Sequence, residues 1–86
     1  MGSSVLEYCE KIPEGYSEGL FNSKKYGITK KLFNHGSSFK IYAQELGGND
    51  FISMNYYIIK SGDLLRPCEM DEHKVVDFLQ KVTVKK

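Results

Sequence analysis

The chain has 86 residues, enough for one domain with a modest core. Its content of 41% hydrophobic and 13% aromatic residues excludes an intrinsically disordered chain, and it has no apolar run of membrane-spanning length and no signal-like segment. The net charge of +1 is not that of a strongly basic nucleic-acid-binding protein. These observations predict a single cytoplasmic domain, residues 1–86, with no membrane partner.

A short helix is the first predicted element. Ser4 and Glu7 have the spacing of a capping box, in which the two side chains bond each other's backbone amides. The residues that follow place an apolar stripe on one side of a helix: Val5, Tyr8, Cys9 and Ile12. Pro13 ends it, because the residue before a proline is disfavoured in the helical conformation. So short a helix needs packing on other elements for its stability.

Strands follow, indicated by the alternation of apolar and polar residues between turn sequences. The predicted strands are 16–21, 25–33, 39–44, 51–59 and a short one at 64–66. Gly47 and Gly48 with Asn49 and Asp50 form a hairpin turn between the third and fourth strands. Pro67 ends the fifth strand, since it cannot donate a ladder hydrogen bond. Short loops between successive strands predict an antiparallel meander.

A second helix is predicted near residue 71, where Asp71 is a good N-cap. An apolar stripe follows on Val75, Phe78, Leu79 and Val82. The predicted fold is therefore α+β: a four- or five-stranded antiparallel meander, with the C-terminal helix packed on one face and with or without the short N-terminal helix.

One such helix can cover only one side of a sheet this wide, and the other side is the candidate binding surface. The alternation places there two lysines, two tyrosines and an asparagine: Lys31, Lys40, Tyr42, Asn55 and Tyr57. Tyrosine is favoured at interfaces, and lysines attract anions. The leading hypothesis is a small binding module whose partner is a protein or a small anionic ligand. An ordinary solvated sheet face and a homodimer through this face are the alternatives.

The segment 22–44 contains five lysines and no acidic residue. It is either a solvated face or an anion-binding strip. Single-stranded nucleic-acid binding by the basic, aromatic residues 24–42 is a further alternative, which requires the lysines and tyrosines to share one surface.

Cys68 lies just ahead of the second helix, where the helix dipole favours a thiolate while Glu69 and Asp71 oppose it. It is the candidate nucleophile of a thiol redox enzyme, with Cys9 as the candidate resolving thiol. The alternative is a small buried residue at a strand-to-helix junction. Both thiols are expected to be reduced in the cytoplasm. Four residues with the chemistry of zinc ligands lack the spacing of a zinc module, so no metal or cofactor is predicted: Cys9, His35, Cys68 and His73.

Three segments carry a resemblance to a known family. They are Lys-Tyr-Gly-Ile-Thr at 25–29, Glu-Leu-Gly-Gly-Asn-Asp-Phe-Ile-Ser at 45–53 and Pro-Cys-Glu-Met at 67–70. In this order they resemble a family of short bacterial proteins, over residues 13–82, and some members are labelled peptide methionine sulfoxide reductase. The resemblance implies that Cys68 and the turn at 47–53 belong to a family pattern. The chain lacks the tryptophan-containing motif of A-type reductases and the paired Cys-x-x-Cys motifs of B-type reductases.

Overall fold

The computed structural model describes residues 3–59 and 62–85, with side chains from Val5 onward. The elements are α1 Ser3–Glu10, β1 Gly15–Phe21, β2 Lys24–Phe33, β3 Ser38–Glu45, β4 Phe51–Ile59, β5 Gly62–Pro67, α2 Glu72–Lys81 and β6 Thr83–Lys85. The predicted cap at Ser4 falls outside the described side chains. Neither of the helices described is long and apolar enough to cross a membrane.

All strand pairs are antiparallel, and the sheet has the order β5-β4-β3-β2-β1-β6. The α+β class and the meander of β1 to β5 are confirmed. The expected number of strands is wrong, because the described residues form six. The sixth strand is β6, which returns after α2 to pair with Glu18–Leu20 of β1.

One face of the sheet, the covered face, carries the core. Its alternating residues are buried with both helices in a single cluster, which includes Cys9 and Ile12 beside α2 residues Val75, Phe78 and Leu79. The Phe78 ring lies 5.0 Å from that of Phe21 and 5.1 Å from that of Tyr26, between centroids. Both helices therefore lie on the same side of the sheet.

Lys30 on β2 points to the covered face, although the sequence groups it with the surface lysines. It is only 9% exposed. Its Nζ donates hydrogen bonds to the carbonyl oxygens of Cys9 and Ile12, both at 3.0 Å. The Cys9 carbonyl belongs to the last turn of α1 and the Ile12 carbonyl lies just beyond it, where a cation also complements the helix dipole. Lys30 thus fastens α1 to the sheet, and it is not part of an anion-binding strip.

Asp50 fixes the turn between β3 and β4 against α2. Its carboxylate accepts a hydrogen bond from the Tyr26 hydroxyl at 2.7 Å and pairs with Lys74 at 2.7 Å. Hydrogen bonds from Lys74 and Tyr26 hold the pKa of Asp50 below its ordinary value. Gly47 has φ +87° in this turn, which a glycine adopts without strain. The glycine-rich turn is therefore a structural connection to the helix layer.

Candidate functional site

The uncovered side of the sheet, the open face, carries the residues whose positions alternate with the core. Tyr42 is 38% exposed and Tyr57 is 37% exposed. Lys31 and Lys40 are exposed, while Asn55 is half-buried. Since α1 packs with α2 against the covered face, it does not shield these side chains. All five candidate binding residues lie on the open face of three neighbouring strands, β2, β3 and β4.

The strand register aligns four open-face residues across the sheet. Lys31 is opposite Lys40, Lys40 is opposite Asn55, and Asn55 is opposite Arg66. We call Lys31, Lys40, Asn55 and Arg66 the cationic row. Neighbouring strands are about 4.8 Å apart, so the row spans about 14 Å. Three cations and one amide donor thus form a line perpendicular to the strands.

A second line of residues lies beside the cationic row, nearer one end of the sheet. Phe33 is opposite Ser38, Ser38 is opposite Tyr57, and Tyr57 is opposite Leu64. We call these four residues the aromatic row. Phe33 is 45% exposed and Leu64 is 40% exposed, whereas Ser38 is only 5% exposed. Two exposed rings therefore flank a small residue that neighbouring side chains cover.

Ser38 is held in place by Asn34, a residue of the β2–β3 turn. The side-chain amide of Asn34 donates a hydrogen bond to Ser38 Oγ at 3.1 Å. Asn34 and His35 both have positive φ, which gives the turn its tight path. On the other side of the cationic row, Tyr42 lies between Thr29 and Ser53. Aromatic side chains thus border the cations on both sides.

No acidic residue occupies an open-face position in the described parts of β2 to β5. Within residues 3–59 and 62–85, the cations of the cationic row also make no salt bridge, whereas Lys24, Lys74 and Lys81 do. Acidic residues are instead frequent in the two helices and beside them. On β1, Glu18 does occupy an open-face position, opposite Gly27 and about 13 Å along β2 from Lys31. Within β2 to β5 the charges are therefore segregated, with a positive strip on the open face of a nearly neutral chain.

The structure does not bring the two cysteines together. Cys9 is fully buried on the covered face, and burial raises the pKa of its thiol to about 12. Cys68 is half-buried after β5, where its Sγ accepts a hydrogen bond from the side-chain amide of the open-face residue Asn55 at 3.5 Å. The thiols lie on opposite sides of the sheet, and both are free. This geometry gives no support to Cys9 as a resolving partner of Cys68.

Sequence reasoning missed two contributors to this surface, Arg66 and the aromatic row around Ser38. Arg66 enters the cationic row only through the pairing of β4 with β5. Alternation in β2 puts Phe33 on the same side as Lys31, but its place in a line with Ser38 and Tyr57 comes only from the register, as does that of Leu64. The signal that could have found Arg66 is its position one residue before the strand-ending proline, directly across a short hairpin from Asn55.

Comparison of the chain with protein-family models, curated proteins and solved structures finds no match. The family resemblance carried by the three sequence segments stays a prediction. The function is therefore inferred from the surface of the molecule.

Proposed function

We propose that this protein is a small binding module that holds an anionic partner on its open sheet face through the cationic row. The observation that carries the proposal is the register, which aligns Lys31, Lys40 and Arg66 with Asn55 on a surface that neither helix covers. The partner's negative charge complements three cations that lack intramolecular salt bridges in the described chain.

The attraction of an anion to the open face depends on the local charge there and not on the net charge of the chain. Charges separated by more than about 8–10 Å are largely screened at physiological salt. Neighbouring members of the row are closer than this, so their fields add over the strip, while the acids of the helix layer lie across the sheet. An approaching anion therefore meets a positive surface, which favours both encounter and orientation.

The test uses a polyanion without bases, immobilised heparin, and measures the salt concentration at which the protein elutes. Lys40→Gln removes the central charge of the row and should lower that concentration. Lys25→Gln is the matched control, because Lys25 is exposed on the same face of β2 but lies about 20 Å along the strand from Lys31. It should elute with the wild type.

Both substitutions are at exposed positions, so their melting temperatures should match that of the wild type. The proposal fails if the wild-type protein is not retained on heparin. It also fails if Lys40→Gln and Lys25→Gln shift the elution equally, because the interaction would then reflect total charge and not the row.

A second candidate function, thiol redox chemistry at Cys68, has one supporting contact. The side-chain amide of Asn55 donates a hydrogen bond to Sγ and orients this half-buried thiol on the open face. Because Cys9 is buried on the other side of the sheet, a second thiol for this chemistry must come from another molecule. Two free cysteines agree with work in a reducing compartment, and we propose a cytoplasmic location.

A further inference from the structure

We infer that the anionic partner is single-stranded nucleic acid, with its phosphates on the cationic row and a base stacked in the aromatic row. The inference rests on the proposed anion-binding function of the open face and specifies its ligand. It requires that rings and cations share one surface in alternating lines, and the register provides this.

The aromatic row offers two exposed rings for stacking. Phe33 and Tyr57 are on the strands to either side of Ser38, so their backbones are about 9.6 Å apart at a strand spacing of about 4.8 Å. Ser38 is only 5% exposed, so neighbouring side chains cover it and the rings themselves form the surface here. A base can stack on the exposed side of either ring, and stacking of this kind accepts any base.

The cationic row lies next to the aromatic row. Along a strand, residues two apart are about 6.7 Å apart on the same face, which is the separation of Lys31 from Phe33 and of Asn55 from Tyr57. A strand of nucleic acid that crosses the sheet can therefore place its phosphates over the cations while a base stacks on Phe33 or Tyr57. Tyr42 offers a further ring on the opposite side of the row.

The position of the row also favours nucleic acid over an acidic peptide. Peptides that bind sheets usually extend an edge through backbone hydrogen bonds. Lys40 and Asn55, the middle of the row, are on strands whose backbones are paired on both sides, whereas β2 has no β1 partner beyond Lys30 and Arg66 is on the edge strand β5. A ligand across the middle of the row meets side chains alone, and cations bordered by aromatic rings are the side-chain set that binds single strands.

The salt dependence of binding has an expected size. Each neutralised phosphate of a single strand contributes about −0.7 to the slope of log affinity against log salt, so three cations give a slope of about −2. Affinity should then fall about 20-fold between 50 and 200 mM salt. Lys40→Gln should reduce the magnitude of the slope by about 0.7, and Lys25→Gln should leave it unchanged.

The deciding experiment compares three fluorescent probes of equal length, about 12 nucleotides, by anisotropy: oligo-dT, oligo-rU and an abasic phosphodiester. We expect both oligonucleotides to bind and the abasic probe to bind about 5- to 150-fold more weakly, the value of one stacked base. Tyr57→Leu should weaken oligo-dT binding to the level of the abasic probe, whereas Tyr57→Phe, which keeps the ring, should bind as the wild type does.

Tyr16→Leu is the matched aromatic control, because Tyr16 is 62% exposed on the open face of β1 and its ring lies over Gly27, pointing away from the row. It should not alter binding. If the abasic probe binds as tightly as oligo-dT, or if Tyr57→Leu changes nothing, the nucleic-acid inference is overturned while the anion-binding function stands. Binding to vesicles of anionic lipid or to polyglutamate, without binding to either oligonucleotide, also overturns the nucleic-acid inference and leaves the anion-binding function standing. Binding to none of these polyanions overturns both.

Discussion

Replacement of Lys30 by methionine should destabilise the protein by detaching α1 from the sheet. Methionine keeps the apolar length of the lysine stem against the Phe39 ring, whose centroid is 4.9 Å from Nζ. It removes both hydrogen bonds to the carbonyl oxygens of Cys9 and Ile12. The change therefore isolates the polar contacts of a buried side chain from its packing.

The size of the effect follows from the partners that remain. The Cys9 carbonyl keeps a hydrogen bond from the Ile12 amide at 3.1 Å, but the Ile12 carbonyl loses its bond from Lys30. Hydrogen bonds to a charged group contribute about 1.5–3 kcal/mol each. Burial lowers the pKa of Lys30, so removal of the ammonium recovers part of this loss. We expect a net loss of about 2–3 kcal/mol in the free energy of unfolding.

For a domain of this size, such a loss lowers the melting temperature by about 10–20 °C. Thermal unfolding followed by circular dichroism measures it, and amide hydrogen exchange in α1 reports the local detachment. Lys31→Met is the matched control. It is the next residue of β2 but is exposed on the open face, so its effect should stay within about 0.5 kcal/mol.

Equal stability of the Lys30→Met and Lys31→Met proteins would refute the reasoning. So would a loss of stability without faster exchange in α1, because the destabilisation would then arise in the sheet and not at the end of the helix.

Two further predictions concern the thiols and Asp50. Iodoacetamide should modify one cysteine in the native protein and two in denaturant, because Cys68 is partly accessible and Cys9 is buried. The native Cys68→Ser protein should not be modified. Modification of Cys9 in the native protein as fast as that of Cys68 would contradict the burial. Asp50→Asn should reduce stability at neutral pH. Because the folded pKa of Asp50 is lowered from 3.8, its contribution is present above pH 3.8 and lost as the pH falls through that lowered pKa. Urea midpoints between pH 7 and pH 2 should therefore converge for wild type and variant, and a constant difference would exclude this linkage.

Local patterns in the sequence predict most of the meander. Period-two alternation and turn residues place β4 at 51–59 and the other central strands to within one or two residues. They also assign Lys31, Lys40 and Tyr42 to the uncovered side. These features depend on neighbours in the chain, so a short window of sequence contains the information.

Long-range pairing accounts for the rest. The three residues Thr83–Lys85 are too few to show alternation, and they form a strand only because β1 offers an unpaired edge. Arg66 joins the cationic row through a register that composition does not reveal. For Lys30 the local pattern does indicate the face, because it alternates with Tyr26 and Ile28 of the covered face. What the sequence could not show is that two carbonyls at the end of α1 would be there to accept its hydrogen bonds.

The pairing of β6 with β1 has a consequence for the order in which the protein folds. Each strand from β1 to β5 pairs with its neighbour in sequence, so those contacts close short loops. The β1–β6 contact closes a loop that contains nearly the whole chain, and such contacts cost more entropy and form more slowly. This edge should therefore close last and open first. While it is open, β1 presents unpaired amides and carbonyls, the template on which strands of other molecules can assemble. The three residues of β6 thus govern the exposure of the edge through which the protein would aggregate.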